Sequence, residues 1–133
     1  MQTTPLGSED LRAATQTTRA VIEQFNEAFN RHDIERFMAL MTDDCRFEDT
    51  EPAPDGTAYQ GQAAVRAYWQ QFFASSPHAR FEFEELLATG NHCTVCWTYH
   101  WTEANGKSGH VRGVDVFLVS DGKVAEKRSY VKG

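Results

Sequence analysis

The spacing of the apolar residues changes once along this chain, and that change constrains the fold more than any single motif. Up to Ala74 they recur every three or four residues; from Arg80 onward they alternate, Phe81 and Phe83 interleaved with Glu82 and Glu84. In the first part Val21, Ile22, Phe25, Ala28 and Phe29 form one helical stripe that stops near Arg31-His32. Asp33 is a good N-cap for a second, short helix carrying Ile34, Phe37, Met38, Leu40 and Met41. Asp43-Asp44 closes it, and Cys45 to Asp49 reads as a short strand. Pro52, Pro54, Asp55-Gly56 and Gly61 then mark a loop, followed by a third helix over 62–74 with Val65, Tyr68, Trp69, Phe72 and Phe73 as its buried stripe.

In the second part Gly90-Asn91, Asn105-Gly106 and Asp121-Gly122 cut the alternating stretch into four strands. Three helices, with a short strand between the second and third, precede an antiparallel meander. That order predicts an α+β domain, a curved antiparallel sheet with its helices on one face. A chain of 133 residues suits one domain. We place it at 19–133, with 1–18 expected as a flexible N-terminal segment in which Ser8 could cap an early turn.

Charge limits the partners. Thirteen basic against nineteen acidic side chains give a net charge of −6 with no basic block, which argues against nucleic acid. No apolar run approaches the roughly 20 residues of a membrane span. The first eighteen residues are polar, with Glu9 and Asp10, and do not read as a signal peptide, so the cytoplasm is the expected location. Cys45, Cys93 and Cys96 are too few and odd in number for a disulfide framework. Cys93 and Cys96 do form a C-x-x-C, but an odd separation on a strand points the two thiols to opposite faces. His92, Cys96 and His100 share a face but are about 13 Å apart at each step of four residues, so they cannot meet on one metal. No metal and no cofactor are expected.

Three runs, taken in order, resemble the nuclear-transport-factor-2-like superfamily. They are the stretch 25–49 ending in Phe47-Glu48-Asp49, the step Tyr59-Gln60-Gly61 into an aromatic helix, and Val114-Asp115-Val116-Phe117 followed by Asp121-Gly122-Lys123-Val124. Over 19–131 the chain is similar to its ketosteroid-isomerase-like and SnoaL-like (polyketide cyclase) branches. The resemblance implies a cone, a bent sheet wrapped on a long helix with an internal pocket, and homodimers built through the outer sheet face. It also implies roles. Asp49 falls where ketosteroid isomerases keep a proton-shuttling carboxylate. Asp115 falls where they keep a protonated carboxyl that donates to the developing oxyanion, two roles that environment separates. Phe25 falls where they keep a tyrosine; a phenyl ring cannot donate, and losing one such donor costs about 10²–10³ in rate, so steroid isomerisation itself is not expected. Ser129 falls where the limonene-epoxide-hydrolase branch has its second aspartate, so that site is not expected either. The loop 50–58 is longer than in the isomerases.

With Asp115 facing the cavity, the resemblance brings Thr98, His100, Lys127 and Ser129 to the same face. Trp97, Tyr99, Trp101, Val114, Val116 and Tyr130 then form an apolar outer face for a second copy. Phe25, Phe29, Tyr68, Trp69 and Phe117 are expected to wall the pocket. The site expected is thus Asp49, Asp115 and His100 as acid/base groups, with a small, partly polar organic ligand. Plainer roles stand beside these: Asp115 as a cross-strand partner of Lys127, Asp49 as a turn residue, His100 as an interior histidine. Two functions follow, a cofactor-independent isomerase, cyclase or hydrolase, or a ligand-binding or dimerisation domain without catalysis.

Overall fold

A computed structural model describes residues 7–133. Nine elements follow in order: α1 (Ser8–Asn30), α2 (Ile34–Ala39), β1 (Met41–Glu48), β2 (Ala58–Gln60), α3 (Gln62–Ser75), β3 (Arg80–Thr89), β4 (His92–Thr102), β5 (Ser108–Ser120) and β6 (Lys123–Val131). The α+β reading holds, with three helices on a curved, unclosed sheet of strand order β2-β1-β6-β5-β4-β3. The sheet is not wholly antiparallel. β1 runs parallel to β6, because the chain makes β2, α3 and the whole meander before β6 returns alongside β1.

The buried stripe of α1 is the expected one, Val21, Ile22, Phe25, Ala28 and Phe29, but the helix starts far earlier than expected. Residues 8–18 are not loose. Thr18 is buried and its hydroxyl donates to the Gly90 carbonyl at 2.7 Å, while Gly90 N–H donates to Thr15 Oγ1 at 2.8 Å. Two long-range bonds thus tie this end of α1 to the β3–β4 turn. Ser8 lies inside the helix; Gly7 takes the capping position and offers no side chain. The part of the expected flexible segment at 1–6 lies outside the described residues.

Asp33 caps α2 as expected, accepting from Arg36 N–H at 3.0 Å. The helix stops at Ala39, and Met41 through Asp44, read as its end, belong to β1. The Met41 end pairs with Val124 across a register shift before Arg46 meets Glu126. Tertiary pairing with β6 overrides the weak strand propensity of Asp43-Asp44. No helix among the described residues is long and apolar enough to cross a membrane.

The decisive local event is the β4–β5 connection. Asn105-Gly106 as a two-residue turn would set Ala104 opposite Lys107. Instead Thr102 pairs with Ser108, Glu103 N–H donates to Lys107 O at 2.8 Å, and Gly106 sits at φ 84°. This is a three-residue loop with glycine in the left-handed position. One residue of register separates the two arrangements, and it exchanges the faces of every side chain on β4 relative to β5. Trp97 therefore lies opposite Gly113, and Trp101 opposite Gly109. A Cβ at either glycine would collide with the indole lying over it, so the glycines let both rings rest on β5.

Candidate functional site

Between α3 and the concave face of the sheet lies a cavity of about 420 Å³. Its walls are aromatic: Tyr68, Trp69 and Phe72 from α3, Phe47 from β1, Phe81 from β3, and Trp97, Tyr99 and Trp101 from β4. The volume lies within the roughly 300–1,000 Å³ that suits a small organic ligand. Few polar groups line it: the exposed Glu51, and two further sets.

The first set surrounds Asp49, just past the end of β1. Its Oδ2 accepts from the Tyr68 hydroxyl at 2.8 Å, and its Oδ1 accepts from Thr50 N–H at 2.7 Å. Burial, reinforced by this bond to Asp49, pushes the Tyr68 phenol far above its ordinary range, so it stays a donor. The backbone of Asp49 is itself fixed. Its N–H donates to Thr57 O at 2.8 Å, and Gly56, at φ 73°, packs so closely on the Asp49 carbonyl that a Cβ there would collide with it. The loop that follows Asp49 thus folds back to hold it.

The second set is deeper. Lys127 on β6 is 4% exposed; its Nζ donates to Ser129 Oγ at 2.8 Å and stands 3.4 Å from Asp115 Oδ2. The ammonium also lies over the rings of Phe47 and Trp69, at 4.7 and 5.2 Å from their centroids. A buried ammonium needs such company to offset its lost hydration. Asp115 serves it as counter-ion, and Asp115 Oδ1 has no hydrogen-bond partner. The indole N–H groups of Trp69 and Trp97, both buried, also lack partners.

Among the expected site residues, Asp49, Tyr68, Trp69, Lys127 and Ser129 meet at the cavity. Asp115, Phe25, Phe29 and Phe117 lie behind it, around a separate space of only about 20 Å³ that no substrate could enter. Phe25 is a core ring, stacked on Phe37 at 4.0 Å and edge-on to Phe117 at 5.9 Å. Thr98 and His100 are not in the site. They pair with Arg112 and His110 and project from the outer face, where Thr98 Oγ1 donates to Glu84 at 2.6 Å. The converse correction applies to Trp97, Tyr99 and Trp101, expected on the outer face and found lining the cavity. Val114, Val116 and Tyr130 stay on the outer face, since Val114 pairs with Cys96 and Tyr130, and Val116 with Thr94 and Arg128. Both corrections have one cause, the three-residue β4–β5 loop. Counting back from its glycine bulge is the sequence signal that would have found the aromatic wall. Among the described residues no three His, Cys, Asp or Glu side chains are grouped to hold a metal ion.

The model of the SnoaL-like domain matches residues 22–127 of the chain. This chain belongs to the SnoaL-like family. The domain is also similar to an NTF2-like protein of unknown function from Mesorhizobium loti, with 33% identity, 100% of each chain covered and a TM-score of 0.77. A Mycobacterium tuberculosis protein in complex with estradiol-17β-hemisuccinate shares the fold at 23% identity, with 86% of this chain and 92% of that one covered and a TM-score of 0.74. So does TerC co-crystallised with polyporic acid, at 18% identity, coverage of 87% and 92%, and a TM-score of 0.76. A comparison with curated proteins gave no match.

Proposed function

We propose that this SnoaL-like domain binds a small, partly polar organic molecule in the aromatic cavity and performs acid/base chemistry on it, of isomerase, cyclase or hydrolase type. The observation that carries this reading is that Asp49, oriented by Tyr68 and Thr50, opens on the same cavity as the Lys127 ammonium. A carboxylate offers four lone-pair sites, so two bonds leave Asp49 able to accept a proton from a bound molecule. Lys127 and Ser129 supply donors, and Asp115 acts through Lys127 rather than on the ligand. His100 is withdrawn from the acid/base set, since it faces away. The ligands of two fold neighbours, polyporic acid and estradiol-17β-hemisuccinate, support a cavity of this type for small organic molecules.

The Asp49→Asn variant tests the assignment. It keeps the shape and one acceptor oxygen, which can still take the Thr50 N–H, while its amide NH2 can only donate toward the Tyr68 oxygen; basicity is lost, so turnover of any substrate found by screening falls by at least about 10²-fold with the fold intact, the scale of positioned acid/base catalysis. Wild-type turnover in that variant would exclude Asp49 as the base.

A non-catalytic binding domain is favoured by a different observation, that both Asp49 oxygens are already engaged. Under that reading Asp49→Asn changes affinity and no reaction is found. For assembly, we infer that a second copy sits on the outer face about Val114, Val116 and Tyr130, the last 46% exposed. Light scattering that finds only monomer at micromolar concentration would refute it.

A further inference from the structure

A second space adjoins the aromatic cavity. Asp49, Thr50, Ser129 and Val131 line the cavity, and the same four residues line a groove of about 520 Å³ between the loop after β1 and the end of β6. Ala53, Pro54 and Asp55 supply the loop side of that groove. The loop is tied to itself: Gly56 N–H donates to Pro52 O at 2.8 Å, Thr57 Oγ1 to Glu51 O at 2.9 Å, and Asp49 N–H to Thr57 O at 2.8 Å. A wall held this way is formed before any ligand arrives, so little ordering is lost on binding.

The two spaces differ in chemistry. The cavity is aromatic, whereas the groove presents the carboxylates of Glu48 and Asp55 and the hydroxyls of Thr50 and Ser129, and no lysine or arginine among the described residues lines it. Glu48 is met by Arg46 at 3.3 Å, while Asp55 is exposed and makes no ion pair among the described residues. Ser129 Oγ accepts from Lys127, so its own proton is left to donate. An anionic group here would face Asp55 without a cation to offset it, and an apolar group would cover these polar atoms unmatched. Ligand hydroxyls, which donate to a carboxylate and both donate to and accept from another hydroxyl, match the lining.

We propose that the groove is a second subsite and that the ligand has two parts, a ring system in the aromatic cavity and a neutral, polyhydroxylated arm that passes Ser129 toward Asp55. The inference rests on the reading that the cavity binds a small organic molecule, and it adds the class of molecule. Asp49 borders both spaces, so the junction of ring and arm lies beside the group to which that reading gives the proton.

The test uses three probes that share one ring, 4-nitroanisole without an arm, 4-nitrophenyl β-D-glucoside with a hydroxylated arm, and 4-nitrophenyl β-D-glucuronide with a carboxylate on that arm. Each is titrated into the full chain at neutral pH and read by quenching of tryptophan emission. Wild type should bind the glucoside roughly tenfold more tightly than the anisole, the scale of one or two net hydrogen bonds, and the glucuronide no better than the anisole. Ala53→Trp fills the groove and should remove the glucoside's advantage while anisole binding stays unchanged. Asp55→Lys leaves the groove open and should move the preference from the glucoside to the glucuronide. Equal binding of glucoside and anisole to wild type, a glucuronide bound as tightly as the glucoside, or an advantage untouched in both variants overturns the subsite and leaves the cavity reading intact. Binding of no probe overturns both.

Discussion

The same sheet carries two ion pairs on its opposite faces, and their geometry and their consequence run in opposite directions. On the outer face Arg112 grips Glu84 with two bonds of 2.8 and 2.7 Å, yet 54% and 29% of those side chains are open to solvent. On the concave face Lys127 and Asp115 stand 3.4 Å apart without a well-formed hydrogen bond, with 5% and 6% of their side chains exposed. The shorter, bidentate pair competes with water and is screened by salt. The longer one has no water to fall back on. Distance therefore ranks these pairs wrongly; burial ranks them, and in the buried pair Lys127 borders the aromatic cavity.

The largest effect should come from breaking the buried pair. Lys127→Met leaves Asp115 uncompensated and should cost about 3–5 kcal/mol in urea unfolding, whereas Lys127→Met/Asp115→Leu should recover most of that loss. A single-variant cost below about 1 kcal/mol would mean that water reaches this pair and that the contrast between the faces is false.

How much of this could be read in the sequence depends on the range of the forces involved. The helical stripes through Phe25, Phe37 and Trp69, the Asp33 cap and the Gly90-Asn91 and Asp121-Gly122 turns were legible because each is decided within a few residues. The proximity of Lys127, Ser129 and Asp115 came from the resemblance alone: counted from the tight Asp121-Gly122 turn Asp115 would meet Arg128, and the register shift between Leu118 and Val119 is what sets it opposite Ser129. The start of β1 at Met41 was not legible, because pairing with a strand more than eighty residues later creates it. Nor was the three-residue β4–β5 loop. The resemblance implied Thr98 and His100 inward and Trp97, Tyr99 and Trp101 outward; the register of this loop, with Asp115 opposite Val95, reverses that, although the alternation along β4 was correct.

The next effect in size probes that register directly. Gly113 lies on β5 between outward Arg112 and inward Asp115, and Trp97 rests on it. Gly113→Ala adds one methyl group against the Trp97 ring and the Tyr130 carbonyl, an overpacking that should cost about 1–3 kcal/mol. The change should also shift Trp97 emission. A stable variant with unaltered emission would place the indole elsewhere and return β4 to the other register.

The smallest effect belongs to the outer pair, and pH reveals it better than a neutral-pH measurement. Hydrogen bonds from Arg112 and then Thr98 hold the Glu84 carboxyl down at about 2, from an ordinary 4.5. A carboxyl depressed in the folded state binds its proton less readily there than in the unfolded chain. Its contribution is therefore complete above pH 4.5 and is lost as pH falls from 4.5 toward 2. Glu84→Gln keeps the shape and removes the titration, so its stability curve should be flatter than wild type's across that window. At pH 7 its urea midpoint should move less than that of Gly113→Ala, because solvent already screens both partners, and molar salt should narrow the gap further. Should Glu84→Gln at pH 7 cost as much as breaking the Lys127–Asp115 pair, hydrogen-bond geometry rather than burial would rank the two faces.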